Sequence, residues 1–135
     1  MGKYYDKVSA TQAQQETGTT TDAPVTPSVQ QYHASAVKVW FRGSVSGGTP
    51  SLDLSYNVTS VTDDGVGQFT ISFTNAFSTI NYAIASVGDN SGGGNAVIVK
   101  ASAQVVGSFQ LRYSNNDDSV NQDPATFWGM ASGDQ

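Results

Sequence analysis

"TDDGVGQFTISFT" (residues 62–74) decides the fold. Asp64-Gly65 followed by Gly67 supplies residues that tolerate positive φ, the signature of a tight hairpin reversal. Directly after it, Phe69, Ile71 and Phe73 alternate with Thr70, Ser72 and Thr74. That period of two puts the apolar side chains on one face of a half-buried strand. The same period recurs on both sides. Val37, Val39 and Phe41 point one way, and Lys38, Trp40 and Arg42 the other. Leu52, Leu54, Tyr56 and Val58 alternate with Asp53, Ser55 and Asn57, and Ile80, Tyr82 and Ile84 with Asn81, Ala83 and Ala85. Val97 and Val99 follow. Val105, Phe109, Leu111 and Tyr113 then share a face with Gly107, and "TFWGMA" (126–131) closes the series. The joints "GDNSGGGN" (88–95) and "SNNDDSVNQDP" (114–124) are too polar and flexible for strands. Short strands of this number, with such joints, predict an antiparallel β-sandwich or jelly-roll-like domain over residues 34–135.

The preceding residues read differently. From Ser9 to Pro24 there is no Val, Ile, Leu, Met or aromatic side chain. Ser9 and Gln12 fit a capping box, good helix formers follow, and Gly18 stands where a helix stops, so a short helix near 10–16 is expected. Thr26-Pro27 offers a second start, for a helical turn over 27–32. Helices this short are marginal alone and need a partner surface.

Composition narrows the function classes. Six Lys and Arg stand against 11 Asp and Glu, a balance that repels phosphate backbones and argues against nucleic-acid binding. Only 13% of residues are charged, which suits a surface covered by partners or by further copies of the chain. With no cysteine there is no disulfide, thiolate metal site or cysteine nucleophile. No apolar run approaches 18 residues, so no membrane span is expected. "MGKYYDKV" (1–8) carries no apolar stretch of a signal peptide. His33 is the sole histidine, so a Ser-His-Asp triad would have to use it. A hydrogen-bonded structural role fits it better. Asp63 and Asp64 sit in a hairpin, where Asp serves the backbone rather than acid–base chemistry. No cofactor or metal site is expected.

"ATQAQQETGTTTDAPVTPSVQQYH" (10–33), "ASAVKVWFRGS" (34–44), "SYNVTSVTDDGVGQFTISFTNAF" (55–77) and "NYAIA" (81–85) together resemble segments of tailed-phage tail-fibre and related virion proteins. In that family they form a trimeric collar and a terminal knob. The resemblance covers residues 10 to about 85. It implies a non-enzymatic structural protein of the phage particle, a homotrimer, with residues 1–33 as anchor and collar and residues 34–135 as a β-sandwich knob. A free-standing knob is expected, held on a capsid or tail protein through Tyr4, Tyr5 and Val8, the large apolar groups nearest the start. The alternative is a tail tip that binds a host receptor or surface glycan. Asn115, Asn116, Asp117, Asp118, Asn121 and Asp123 are its candidate contacts, since their acceptors and amide donors match sugar hydroxyls. Trp40 beside Arg42 suits burial in a second layer, a seam between copies, or the binding of a sugar or a partner, and Phe127 and Trp128 carry the same ambiguity.

Overall fold

The computed structural model describes residues 8–18, 23–27, 30, 33, 35–89, 98–115 and 120–135. Eight strands follow one short helix: α1 (Gln12–Thr17), β1 (Val37–Ser46), β2 (Thr49–Tyr56), β3 (Val58–Gly65), β4 (Gln68–Phe73), β5 (Ala83–Asp89), β6 (Ile98–Val105), β7 (Ser108–Ser114) and β8 (Thr126–Ser132). They form two four-stranded antiparallel sheets, in the order β2-β1-β8-β5 (sheet A) and β3-β4-β7-β6 (sheet B). β8 runs back between β1 and β5, so the run read as a short C-terminal strand is central to sheet A.

Where the sequence suggests one strand through Leu52 to Val58, the chain makes two. Asn57 adopts φ 58°, in the left-handed region, and there the backbone turns from the edge of sheet A to the edge of sheet B. Its side chain secures the corner: Nδ2 donates to the Asn75 carbonyl (3.1 Å) and Oδ1 accepts from the Asn75 amide (2.7 Å). Asn is the non-glycine residue best suited to this conformation. The hairpin expected at 62–67 is present, with its reversal at Val66-Gly67 between β3 and β4. The run read as one face through Val105 to Tyr113 is likewise divided, since β6 ends at Val105 and β7 begins at Ser108.

The core lies between the sheets and is largely aromatic. Phe69, Ile71 and Phe73 of β4, Phe109, Leu111 and Tyr113 of β7, Val39 and Phe41 of β1 and Phe127 of β8 are all buried. Each such side chain contributes roughly 1.5–3 kcal/mol on burial. Rings from the two sheets interlock, with Phe69 and Phe127 centroids 5.2 Å apart and Phe41 and Phe109 6.2 Å apart. Room for two of them comes from glycines on the neighbouring strand of sheet A: Gly43 of β1 lies against the Phe127 ring and Gly129 of β8 against the Phe41 ring.

The helix near the start is present, beginning two residues later and ending one residue later than expected. Thr11, not Ser9, is its N-cap. Its Oγ1 accepts from the Gln14 amide (3.3 Å), and Gln14 Oε1 accepts from the Thr11 amide (2.9 Å), completing a capping box. Gly18, at φ 61°, ends the helix as read. Of the second helical turn, Gln30 N–H donates to the Thr26 carbonyl (3.0 Å), and residues 28, 29, 31 and 32 lie outside the described residues. Among the described residues no helix is long and apolar enough to cross a membrane.

Candidate interaction surface

The outward faces of the two sheets have opposite character. On sheet B, strand register lines up Thr62, Thr70, Gln110 and Ser102 in one row, Ser60, Ser72, Ser108 and the exposed Val105 in the next, and Gln68, Arg112 and Lys100 in a third. Asp64 Oδ2 accepts from Thr70 Oγ1 (2.5 Å) and Gln110 Nε2 (3.0 Å), so this face is polar and cross-linked by its own hydrogen bonds. An antiparallel sheet with one such face is built to meet water there.

Sheet A carries two apolar rows on its outward side as well, and the row beyond them, Ser51, Ser44, Thr126 and Asp89, is polar. Tyr56, Trp40, Met130 and Ala85 form one outward row across its four strands, and Leu54, Arg42, Trp128 and Val87 form the next. Leu54 is 61% exposed, Val87 56%, Met130 49% and Trp40 43%. Two bulges help to build this face. The register of β1 on β8 shifts between Val37 and Val39, so Val37 is exposed rather than sharing the core face with Val39 and Phe41 as the alternation suggests. The register of β1 on β2 shifts between Arg42 and Gly43, placing Asp53 at the irregularity. Leu52 therefore packs on the core while Leu54 joins the outward row. Between the side chains of Trp128 and Met130, over Gly129, lies a groove of about 370 Å³ bounded by Ala85, Ser86 and Val87 of β5. Beside these rows Arg42 Nη1 lies 3.3 Å from Asp53 Oδ2.

At the collar end of the same face Lys38 is buried, 2% exposed, and its Nζ has no hydrogen-bond partner. It borders a cavity of about 400 Å³ with Pro27, Gln30, Ala36, Val37 and Tyr56. Burial lowers its amine below the ordinary lysine range, and the charge of Asp134 partly opposes that shift. His33 serves local structure, its Nδ1 lying 2.6 Å from Ser35 Oγ and accepting from the Ser35 amide (3.2 Å). Asp63 does the turn chemistry expected of it, accepting from the Gly65 amide (2.9 Å).

The residues singled out from the sequence fall in several places. Val8 is 82% exposed, while Tyr4 and Tyr5 lie outside the described residues. Of the 114–124 segment, Asn116, Asp117 and Asp118 also lie outside them. The other three are used within the fold. Asn115 Oδ1 accepts from the Val120 amide (3.1 Å), Asn121 Oδ1 from Arg112 Nε (2.6 Å) and Asp123 Oδ1 from the Gly67 amide (2.6 Å). Trp40 and Arg42 lie on one outward face, as the alternation indicates, and Trp128 shares that face while Phe127 is buried in the core. Leu54, Tyr56, Val87 and Met130 join them there. Met130 and Val87 are reached only through pairings between strands distant in sequence, and Leu54 and Tyr56 face outward only because of the bulge beside Asp53. Comparison of the chain with protein-family models, with curated proteins and with solved structures finds no match.

Proposed function

We propose that this chain is a non-enzymatic structural protein of a bacteriophage particle, a short fibre, knob or decoration component that works as a homotrimer and is held on a capsid or tail protein by its N-terminus. The observation that carries this reading is the apolar outward face of sheet A in a charge-poor chain. A contiguous exposed patch of this kind marks an interaction surface, and the sequence resemblance supplies the virion setting. The collar sequence, the exposed Val8 and the two tyrosines that precede it in the sequence support anchoring through the first residues, as aromatic side chains often dominate such contacts. The test is location. Antibody raised against residues 34–135 should decorate purified particles, and a chain lacking residues 1–8 should fold yet be absent from them. Particles that lack the protein would overturn the reading.

A second reading, a host-receptor or glycan-binding tip, is favoured by one feature. Tyr56, Trp40 and Trp128 lie on three adjacent strands, Tyr56 and Trp40 side by side and Trp128 one row along, with Arg42 and Asp53 alongside. Flat aromatic rows flanked by polar groups can stack on sugar rings. Adsorption of particles to host cells that drops when Trp40 and Trp128 are replaced, with assembly intact, would favour this reading over the first.

A further inference from the structure

We propose that Lys38 and Asp134 are the two halves of an intramolecular isopeptide bond, an amide between Lys38 Nζ and Asp134 Cγ that ties the first strand of the sandwich to the residues after the last. The proposal holds whatever particle or partner the protein serves.

Both groups are buried and both are unsatisfied. Lys38 is 2% exposed, and its Nζ is without a hydrogen-bond partner. Asp134 Oδ1 is likewise buried and without one. Polar ends in this position cost free energy until something satisfies them. The two stand at the same end of neighbouring strands. Lys38 is the extra residue where the register of β1 on β8 shifts, between Val37 and Val39, and Val37 is paired with Ser132, two residues before Asp134. The charge of Asp134 acts on the Lys38 amine, yet no ion pair joins them. The long, flexible lysine stem can carry the nitrogen the rest of the way.

The carboxyl end is held in a dry, aromatic setting. The Asp134 carbonyl accepts from the Ser78 amide (2.8 Å), and Gln135 Nε2 donates to the Asn75 carbonyl (2.8 Å). Gly133, just before it, packs against Tyr82 and Phe77, whose rings stack 4.2 Å apart.

The step is a condensation. The ammonium passes one proton to the carboxylate, a transfer that burial favours because the neutral pair needs no hydration. A desolvated lysine is a competent nucleophile in its free-base form. Its Nζ bonds to Asp134 Cγ, the bond from Cγ to one carboxyl oxygen breaks, and that oxygen leaves as water with two of the three ammonium protons. The amide keeps the third. No oxidant, metal or cofactor is consumed. Open water opposes such a condensation, but groups held together by a fold act at effective concentrations of roughly 10⁵–10⁸ M when well oriented. The product replaces two buried charges with one neutral amide and closes nearly the whole sandwich into a covalent ring, which restricts the unfolded chain as a long-loop cross-link does.

The experiment is intact-mass spectrometry of the full chain, denatured after folding, with tandem sequencing of its proteolytic peptides. The wild type should be lighter than its sequence by one water, and one branched peptide should join Lys38 to Asp134. Lys38→Arg and Asp134→Ala should both have their full sequence mass. The alanine variant changes only the tail, so it serves where the arginine variant fails to fold. A folded wild type at full sequence mass would overturn the proposal. So would a water loss that persists in Asp134→Ala, which would belong to another site, such as a succinimide at Asp64-Gly65.

Discussion

Trp40 of β1 stands directly opposite Tyr56 of β2, and both project from the side of the sheet that faces away from the core. Met130 of β8 continues the row on the other side of Trp40. Large side chains in non-core rows contribute little to a lone protomer, because water reaches them. They gain their value when a second surface covers them. The energetics of the domain therefore separate into an inner layer that holds the fold and an outer layer that adds little to it, and substitutions should sort the same way.

Gly129 tests the inner layer. Its missing side chain is what lets the Phe41 ring lie against β8. Gly129→Ala should destabilise by about 1–3 kcal/mol or more, the cost of overpacking a filled core. Gly107→Ala, where an added Cβ meets nothing within 4 Å, should change the urea midpoint little. Equal effects of the two substitutions would contradict the packing described.

Asn57 tests the corner between the sheets. Asn57→Ala removes both bonds to Asn75 and puts a less tolerant residue at φ 58°. The expected loss is about 2–4 kcal/mol, from left-handed strain plus unmade hydrogen bonds. Asn57→Gly loses the bonds without the strain, so it should unfold at a denaturant concentration between those of the alanine variant and the wild type.

Asp123 separates structure from recognition in the 114–124 segment. Its carboxylate holds the Gly67 amide, so Asp123→Ala should lower stability by about 1.5–3 kcal/mol, as expected for a bond to a charged group. Asp123→Asn keeps an acceptor and should cost less. An alanine variant with unchanged thermal unfolding would release Asp123 for a role in binding.

Alkaline pH should weaken the fold through buried phenols. Tyr82, whose hydroxyl lies 2.8 Å from the carbonyls of both Val105 and Ser108, has its pKa pushed up to about 12 by burial. Burial raises Tyr113 as well, with the Ser86 hydroxyl partly opposing. The unfolded chain loses these protons near pH 10, while the folded chain keeps that of Tyr82 to about 12. Over that interval the unfolded state binds fewer protons, so stability falls as pH rises. Urea midpoints measured across it should decline, and Tyr82→Phe should flatten the decline.

The alternation of Phe69, Ile71 and Phe73 made the β-sandwich legible, because a period of two leaves no other regular structure. The corner at Asn57 was not legible: apolar alternation runs straight through Tyr56 and Val58, and only the backbone conformation breaks it. Bulges hid the true faces of Val37 and Leu54, since one extra residue reverses every side chain beyond it. Trp40 and Arg42 could be placed opposite the core from β1 alone. Their neighbours Met130 and Val87 could not, because β8 and β5 reach them by pairings distant in sequence. The acceptors of Asn121 and Asp123 read as free loop chemistry because a sequence does not show which amide or guanidinium comes within reach.

The central claim concerns the outward face of sheet A, and the chain's two tryptophans, Trp40 and Trp128, both lie on it. Intrinsic fluorescence thus reports on this surface alone. The measurement is tryptophan emission and iodide quenching of the full chain across a dilution series. A face covered on assembly predicts blue-shifted, poorly quenched emission at high concentration, moving to red-shifted, readily quenched emission as the assembly dissociates. Water-like emission, fully quenched at every concentration including those at which the protein sediments as a trimer, would contradict the account.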